Sequence, residues 1–366
     1  MRKNQTARVN LLAIIICALL TSSCQKQTPS FIQVSEKNTN YLAYSDGTPY
    51  IPVGLNICWE RFETDEEKVL QKYEWRFQKL AENGGNYVRV WLSAPFFEVE
   101  QNKAYQYEEA VAQRIDRILE LAVKYDIKVK FCLEHFRKLT NSPAPFATSV
   151  PFDKPIYAEE NGGSLKTMDD FFNTEEGHDL YLRRINFLAD RYADHQAVFG
   201  WELWNEMNAV NISGDYQTIL TWTREMLPLV KKAFPNHLVM QSLGSFDSEK
   251  YREMYQSYMT IPDNEIAQVH RYLDPGAKWD ICQGAMDTLA ANAVWELAET
   301  TDGKPIILSE VGAVEAHHAG PSKLYETDTL GLLLHDLLFA PFFSGAAGPG
   351  QSWHWDYYIE KNDLWW

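Results

Sequence analysis

Short apolar runs alternate with helical segments along most of this chain, and this alternation limits the possible folds more than any other feature. The runs are IPVGLNICW, NYVRVWL, KVKFCLEHF, VFGWELWNE, LVMQSLGS, IAQVHRY, PIILSEVG and GPGQSWHWD. Between them, apolar residues recur at three- and four-residue spacing, which predicts amphipathic helices. The helices are predicted over Glu66–Glu82, Glu108–Tyr125, Glu175–Asp194, Tyr216–Ala233, Ser248–Met259, Ala285–Glu299 and Thr327–Leu338.

Eight strands joined by seven helices match the element count of a (β/α)8 barrel, an α/β fold whose parallel strands are covered on both faces. The predicted strand ends are Trp59, Trp91, His135, Glu206, Ser245, Tyr272, Glu310 and Trp353, and six of the seven gaps between them span 27 to 44 residues. A doubly wound open sheet is the competing fold. That fold would need a Gly-rich phosphate loop after the first strand, which GLNICWERF does not provide.

The remaining gap, 71 residues after the third strand, contains a long insertion. Its sequence, LTNSPAPFATSVPFDKPIYAEENGGS, contains several Pro and Gly residues and is expected on the rim where such barrels bind ligands. Before the barrel, FIQVSEKNTNYLAYSDGTPYIPVG predicts a small β-hairpin that turns at Asp46 and Gly47. The sequence stops about ten residues after the eighth strand, which leaves no residues for an eighth outer helix. We therefore expect a truncated chain in which the apolar DLWW segment, residues 363–366, is exposed.

The first residues are typical of an export signal. Arg2, Lys3 and Arg8 precede ten uncharged, mostly aliphatic residues, Leu11–Leu20, a stretch that is too short to span a bilayer. The small residues before Cys24 resemble the cleavage site of a bacterial lipoprotein, which predicts lipidation of Cys24. Plain secretion is the alternative.

The predicted organisation is a signal peptide over 1–23, a linker over 24–30 and a barrel with its N-terminal hairpin over 31–366. A lipoprotein would lie on the outer membrane or cell surface and touch the membrane only through its anchor, whereas an unanchored protein would be periplasmic or secreted. The formal net charge of −16 argues against a nucleic-acid partner, because such binding depends on Lys and Arg contacts to phosphates.

Cysteine and histidine usage predicts no metal site and no disulfide framework. Cys58, Cys132 and Cys282 remain after removal of the signal peptide, and most of them lie in apolar strand-like runs, so buried free thiols are expected. The adjacent His317 and His318 lack a carboxylate at helical spacing and are interpreted as loop residues.

Acidic side chains end two of the predicted strands. Glu206 and Glu310 are 104 residues apart, yet the carboxyl ends of all barrel strands face one mouth. Strict alternation places Ile306, Leu308 and Glu310 on one face of strand seven. The inward faces of the neighbouring strands are then expected to contribute Arg89, Trp91, His270 and Tyr272 to the same cavity.

Strand four does not fit strict alternation, which puts Glu202 and Glu206 on one face and Asn205 on the other. For Asn205 also to face the mouth, the strand must bulge or twist at its end. Glu202 would then lie deeper in the barrel, where a lone carboxylate is costly unless it is paired. Arg89 is the expected partner, so Glu202 is predicted to be a supporting residue.

Two carboxylates at one mouth suit the cleavage of a glycosidic bond, which needs one protonated and one ionised group. When two carboxyl groups lie close together in an apolar site, their pKa values move apart, because two neighbouring negative charges are unfavourable there. Flat apolar faces on which a sugar could rest are predicted from Trp91, Trp204, Trp353 and Trp355.

WELWNE on strand four and ILSEVG on strand seven resemble the acid/base and nucleophile strands of clan A glycoside hydrolases. The wider set of residues, from about Pro52 to Trp355, is similar to glycoside hydrolase family 5, which contains cellulases and mannanases. The resemblance implies that Glu206 is the general acid/base and Glu310 the nucleophile of a reaction that retains anomeric configuration. It also implies that Asn205 binds the substrate 2-hydroxyl, that Arg89 and Tyr272 position Glu310, and that His135, His270 and Trp353 shape the central sugar site.

These residues predict an exported, monomeric endo-β-glycosidase that needs no cofactor and acts on β-1,4-linked mannan or a related polysaccharide. Glucan stays open as a substrate, because PYIPVGLNICW is similar to mannanase-type members while cellulase-type members begin comparably. Exo action on short oligosaccharides is a second hypothesis, in which the insertion after strand three blocks one end of the cleft. The third hypothesis is a non-catalytic, surface-anchored glycan-binding lipoprotein.

Overall fold

A computed structural model of the protein describes residues 30–135, 138–139, 154–301 and 303–365. The predicted signal peptide, Cys24, nearly all of the linker and the first part of the insertion after strand three lie outside these residues. None of the described helices combines the length and the apolar composition needed to cross a bilayer.

Three short antiparallel strands precede the parallel strands in the described part of the chain. The antiparallel strands are β1 (Ile32–Val34), β2 (Leu42–Tyr44) and β3 (Pro49–Tyr50). The parallel strands are β4 (Gly54–Asn56), β5 (Tyr87–Trp91), β6 (Lys128–Cys132), β7 (Val198–Glu202), β8 (Leu238–Met240), β9 (Ala267–Leu273) and β10 (Ile306–Ala313). Strands β4 to β8 pair in chain order, β9 pairs with β10, and the Phe246 N–H donates to the His270 carbonyl at 2.9 Å to link the two groups.

The predicted helices are present, with boundaries that mostly agree with the sequence pattern. The α-helices are α1 (Glu66–Glu82), α2 (Glu109–Lys124), α3 (Met168–Asn173), α4 (Glu175–Tyr192), α5 (Tyr216–Ala233), α6 (Arg252–Met259), α7 (Met286–Ala298) and α8 (Leu332–Phe343). The last helix begins five residues later than predicted. The reason is local, because the Asp328 carboxylate accepts hydrogen bonds from the N–H groups of Leu332 and Leu333 and so caps the helix at that point.

The eighth predicted strand is irregular, and only one parallel bridge, between Val311 and Ser352, is recognised there. Its backbone nevertheless closes the ring of strands. The Gln351 N–H donates to the Leu308 carbonyl at 2.9 Å, and the Asn56 N–H donates to the Ser352 carbonyl at 3.1 Å. The described residues therefore form the predicted (β/α)8 barrel with a weakly regular final strand.

A bulge in β10 determines which of its side chains face the barrel interior. Ile307 packs with Tyr87 inside the barrel, whereas Ile306 and Leu308 belong to the large core cluster shared with the helices. The pairing register between β9 and β10 shifts between Leu308 and Glu310. Strict alternation, which placed Ile306, Leu308 and Glu310 on one face, is therefore wrong, and Glu310 faces inward because of the extra residue.

The N-terminal sheet covers the bottom of the barrel. The predicted hairpin is present as β2 and β3, and it turns at Gly47, whose φ of 85° lies in the region that favours glycine. Ile32 and Leu42 of this sheet pack in one cluster with Tyr87 and Ile307 from the barrel interior. The carboxyl ends of the strands are therefore the open end of the barrel.

The C-terminal residues fold back onto the protein. After a π-helical turn over Trp355–Glu360, the Leu364 N–H donates to the Ile359 carbonyl at 2.9 Å. Leu364 and Trp365 are buried, and the Trp365 ring packs edge-on against Trp75 with ring centroids 5.5 Å apart. The expectation that this segment is exposed is therefore wrong for these two residues.

Candidate active site

A hollow of about 250 Å³ opens at the carboxyl ends of the strands. It contains six of the predicted site residues, namely Trp91, Asn205, Glu206, Tyr272, Glu310 and Trp353. The remaining lining residues are Trp59, Arg61, Val314, His318, Ala319, Gly320, Pro321 and His354. Residues that are far apart in the sequence thus meet at one mouth, as the barrel topology predicts.

The fourth barrel strand is β7, and the residues after it depart from strict alternation, as expected. Strand β7 ends at Glu202, and the following residues do not have strand geometry. Asn205 donates its backbone N–H to the Glu134 carbonyl at 2.8 Å. Glu206 has a left-handed backbone, with φ 51° and ψ 57°. A non-glycine residue in this region costs about 1–3 kcal/mol, and such strain is concentrated at functional sites. The twist lets both Asn205 and Glu206 reach the cavity.

The two carboxylates and one imidazole nitrogen form a close group. One carboxylate oxygen of Glu206, one of Glu310 and a ring nitrogen of His270 all lie within 4.8 Å of one another. His270 Nδ1 is 2.9 Å from Glu206 Oε1 and 3.4 Å from Glu310 Oε2. Retaining glycosidases place their carboxyl groups about 5–5.5 Å apart, whereas inverting enzymes need about 6.5–9.5 Å to admit a water molecule. The observed spacing therefore suits retention.

A metal ion could be held by the same three groups as far as spacing is concerned. The charge of the site opposes this, because the fully buried guanidinium of Arg89 already bonds to Glu310. A second positive charge beside it would be repelled in this poorly screened environment. The donor set therefore favours proton transfer over metal binding.

Glu206 is in the environment of a general acid. Burial raises the pKa of Glu206 to about 7. The neighbouring His270 is neutral at that pH, because burial lowers its pKa to about 4. Glu206 thus has a neutral imidazole beside it, and it is protonated in a large fraction of molecules near neutral pH.

Glu310 has contacts that favour its anion. Burial raises the pKa of Glu310, as does the Glu206 carboxylate, while Arg89 and the Tyr272 hydroxyl act in the opposite direction. The guanidinium of Arg89 donates to Oε1, and the Tyr272 hydroxyl donates to Oε2 at 2.6 Å. Because both donors bind the ionised form, these contacts favour the Glu310 anion.

The predicted pairing of Arg89 with Glu202 is present beneath the cavity. Arg89 donates from Nε and Nη2 to the two Glu202 oxygens at 2.9 and 2.7 Å, and Nη2 also reaches Asn205 Oδ1 at 2.7 Å. Burial alone would raise the pKa of Glu202, but Arg89 and Lys130 lower it to about 2. One guanidinium thereby orients three side chains of the site, which are those of Glu202, Asn205 and Glu310.

Lys130 is a supporting residue that the sequence pattern did not identify. It is fully buried, and its Nζ lies 2.9 Å from Glu202 Oε2 and also donates to Gln268. With Arg89 it supplies a second positive charge opposite Glu202 and Glu310. The available signal was a lysine in the middle of the apolar run KVKFC, where an unpaired charge would be costly.

Three tryptophans form one side of the cavity. The ring centroid of Trp59 lies 4.9 Å from that of Trp91 and 5.6 Å from that of Trp353, and the latter two are 5.3 Å apart. We call Trp59, Trp91 and Trp353 the tryptophan wall. Trp59 served only as a strand-end marker in the sequence, yet it lines the site.

Two other tryptophans that the sequence suggested as sugar platforms are fully buried and do not line the cavity. Trp204 packs among Phe172 and Trp222, with ring centroids at 5.5 and 6.2 Å. Trp355 lies behind Trp59, with ring centroids 5.1 Å apart. That part of the prediction is wrong, because both residues stabilise the core around the mouth.

His135 was expected at the central sugar site, but it lies behind Trp91 and does not line the cavity. Its ring centroid is 4.5 Å from that of Trp91, and its Nδ1 is hydrogen-bonded to the Ser93 hydroxyl at 2.5 Å. Its observed position therefore supports the tryptophan wall.

Arg89 and His270 also do not line the cavity, but both contact the catalytic carboxylates. The three cysteines in the described part of the chain, Cys58, Cys132 and Cys282, are buried free thiols, as predicted.

Several known proteins resemble this chain in sequence. The sequence model of the cellulase family (glycosyl hydrolase family 5) matches residues 46–333. A putative mannan endo-1,4-beta-mannosidase 4 of Arabidopsis thaliana is 25% identical over 267 residues, which cover 70% of this chain and 62% of the relative. Mannan endo-1,4-beta-mannosidase A of Hypocrea jecorina is 26% identical over 302 residues, which cover 78% of this chain and 63% of the relative. The chain thus spans about three fifths of the length of these relatives.

Solved structures share the fold. The endo-1,4-beta-mannanase from Rhizomucor miehei superimposes with a TM-score of 0.63 at 20% identity, over 88% of this chain and 90% of that one. An exo-beta-1,4-mannosidase from Opitutaceae bacterium strain TAV5 superimposes with a TM-score of 0.60 at 17% identity, over 91% and 57%. The family match covers most of the barrel, and the chain therefore belongs to glycosyl hydrolase family 5.

Proposed function

We propose that the protein is an exported, retaining endo-β-1,4-mannanase. The observation that supports this most strongly is the pair of carboxylates, Glu206 and Glu310, within 4.8 Å at a cavity bordered by the tryptophan wall. The substrate is suggested by the relatives, which are named mannan endo-1,4-beta-mannosidases. The contacts described above support a different role for each carboxylate.

In the first step, the Glu310 carboxylate attacks the anomeric carbon of the sugar that rests against the tryptophan wall. The bond from that carbon to the leaving-group oxygen breaks, and Glu206 gives its proton to this oxygen. The product is a glycosyl ester on Glu310 and a free sugar chain. Arg89 and the Tyr272 hydroxyl, which both contact Glu310, hold the attacking oxygens in place.

In the second step, Glu206 is ionised and takes a proton from a water molecule. The water oxygen attacks the anomeric carbon, the ester bond breaks, and the electron pair returns to the Glu310 carboxylate. The ester is uncharged, so an ionised Glu206 does not face a neighbouring Glu310 anion while the intermediate exists. The same side chain can thus be an acid in the first step and a base in the second.

The catalytic role is tested by Glu206→Gln and Glu310→Gln, measured as reducing sugar released from mannan, glucomannan, cellulose and xylan. We expect the unaltered protein to be most active on mannan, and each variant to lose at least about 1,000-fold in kcat. Glu120→Gln, which changes an exposed carboxylate on α2, is the control and should keep full activity. Cellulose as the best substrate would favour the glucanase alternative.

Equal signals from the protein and both active-site variants would instead support the non-catalytic glycan-binding hypothesis. In that case a binding measurement on mannan, made by retention in an affinity gel, would replace activity as the readout. Both carboxylates and the donors that distinguish them are present. We therefore expect the two active-site variants to lose turnover while they still bind mannan.

The length of the first products distinguishes endo from exo action. An endo-acting enzyme releases a range of oligosaccharides from mannan at early times, whereas an exo-acting enzyme releases a single short product. We expect the range. Most of the strand-three insertion, which underlies the exo hypothesis, lies outside the described residues, so product analysis is the direct test.

Export and anchoring through Cys24 are part of the proposal. They rest on the residue order of the first 24 positions, where a short apolar stretch follows basic residues and precedes the small residues before Cys24. The full chain expressed in a Gram-negative host should enter the membrane fraction and incorporate labelled fatty acid. Cys24→Ser should abolish the label, and labelling that persists in this variant would contradict anchoring at Cys24.

A further inference from the structure

The segment after β10 forms a short loop beside the catalytic pair, and its backbone is strained. Val314 and Pro321 pair across an antiparallel bridge and so close the loop. Between them, two consecutive non-glycine residues, His317 and His318, have positive φ angles of 61° and 57°. Side chains are unfavourable in this conformation, and residues held in it are concentrated at binding and catalytic sites.

The loop is fixed to the end of β9 by a buried carboxylate. Asp274 is 2% exposed, and its Oδ1 accepts hydrogen bonds from the backbone N–H groups of His317 at 2.9 Å and Gly276 at 2.7 Å. A Cβ atom at position 276 would lie only 2.5 Å from the His317 nitrogen, so glycine is required for this close approach. The strained conformation is therefore enforced by its surroundings.

This conformation brings His318 into the cavity, where its side chain lines the same hollow as Glu206. Its Nε2 lies 3.6 Å from Asp274 Oδ2 and 3.9 Å from Asp247 Oδ2, and it has no hydrogen-bond partner among the described residues. The ring packs edge-on against Tyr272, with centroids 5.2 Å apart. Because Nε2 faces the two carboxylates, Nδ1 is the ring nitrogen available to a ligand.

We call His318, Asp247 and Asp274 the polar cluster. Its members come from the segments that follow β8, β9 and β10, whereas the tryptophan wall comes from β5 and from the residues after β4 and around the eighth strand. In the circular order of the barrel, these two sets lie on different sides of the cavity. The sugar that Glu310 attacks therefore occupies the side of the tryptophan wall. The next sugar, whose oxygen Glu206 protonates, then lies on the side of the polar cluster.

We propose that His318, oriented by Asp247 and Asp274, binds hydroxyl groups of the leaving-group sugar and so determines specificity for cleavage between two sugars. This inference rests on the proposed hydrolase function. An imidazole beside two carboxylates offers both a donor and acceptors, which is what vicinal hydroxyls require. A leaving group without hydroxyls cannot use these contacts.

The polar cluster also acts on the charge of the general acid, which provides a second readout. Burial raises the pKa of Glu206, His318 and Arg89 lower it, and Glu202 and Asp247 raise it. Removing the His318 imidazole is therefore expected to move the basic limb of the pH–rate profile upward. A residue that served only to hold the loop would leave that limb unchanged.

The test compares two substrates in two matched variants. The variants are His318→Asn and His317→Asn, because asparagine tolerates a left-handed backbone at both positions. Of the two histidines, only His318 lines the cavity. The substrates are mannopentaose, whose leaving group is a sugar, and 2,4-dinitrophenyl β-mannobioside, whose leaving group is a weakly basic phenol. Thermal unfolding of both variants reports whether the loop remains folded.

For His318→Asn, we expect kcat/KM on mannopentaose to fall roughly 10- to 100-fold, while the value on the dinitrophenyl substrate stays within about threefold. His317→Asn should change neither by more than about threefold. An equal fall on both substrates in His318→Asn, or no fall on either, would overturn the role in leaving-group binding. If the unaltered protein cleaves neither substrate, the hydrolase function itself fails and this inference fails with it.

Discussion

Replacing Glu202 by glutamine removes the anion that two buried cations share. Glu202 is fully buried, and the pKa of its carboxyl is lowered from an ordinary value of 4.5 to about 2. A difference of about 2.5 units corresponds to roughly 3 to 4 kcal/mol of stability at neutral pH, at about 1.4 kcal/mol per unit. We therefore expect Glu202→Gln to lower the free energy of unfolding by about 3 to 4 kcal/mol at pH 7.

The pH dependence follows from the sign of this shift. A carboxyl whose pKa is lower in the folded protein contributes stability at pH values above 4.5, and this contribution is lost as the pH falls towards 2. The difference between the protein and the variant should thus be constant from pH 7 to about 5. Below that, it should shrink by about 1.4 kcal/mol per pH unit.

Urea unfolding followed by tryptophan fluorescence at pH 7, 5.5, 4.5 and 3.5 measures this difference. The control, Glu120→Gln, removes an exposed carboxylate paired only across one turn with Arg117, and it should change stability by less than about 0.5 kcal/mol at every pH. A Glu202→Gln variant that is as stable as the unaltered protein at pH 7 would refute the reasoning. So would a stability loss that is the same at pH 7 and pH 3.5.

Three further outcomes follow from the site. Because burial raises the pKa of Glu206 to about 7 and its protonated form is the acid, kcat/KM should fall as the pH rises above about 7, and a profile that stays flat to pH 9 would contradict this. Tyr272→Phe removes a donor that favours the Glu310 anion, so the acidic limb of the same profile should move to higher pH with a roughly 10- to 100-fold loss in kcat; an unmoved limb would argue against the contact. Trp353→Ala should raise KM on mannan oligosaccharides, whereas the buried Trp204→Phe should lower the melting temperature with KM unchanged, and the reverse pattern would invalidate the assignment of the tryptophan wall.

The residues at strand ends could be predicted because barrel topology brings all those ends together. Glu206 and Glu310 are identified by position alone once the strands are counted. The pairing of Arg89 with Glu202 follows from the cost of a lone buried carboxylate, and the observed contacts of 2.7 and 2.9 Å agree. Topology and electrostatics therefore predict much of the central site.

Apart from the departure at the end of strand four, local backbone irregularities could not be predicted. Strict alternation places Glu310 on the same face as Leu308, but the bulge in β10 inserts one residue and separates them. The left-handed backbone of His318 likewise leaves no trace in a pattern of apolar and polar residues. Trp204 and Trp353 look alike in the sequence, but the backbone after β7 directs Trp204 into the core, whereas Trp353 lines the cavity.

Trapping the covalent intermediate tests the assigned roles of Glu206 and Glu310 most directly. A 2-deoxy-2-fluoro-β-mannosyl fluoride slows the second step more than the first, so the sugar should accumulate as an ester, and peptide mass spectrometry should locate it on Glu310. We expect the label on Glu310 in the unaltered protein and no label in Glu310→Gln. A label on a different residue, or steady turnover of the reagent without any labelled peptide, would contradict nucleophilic attack by Glu310.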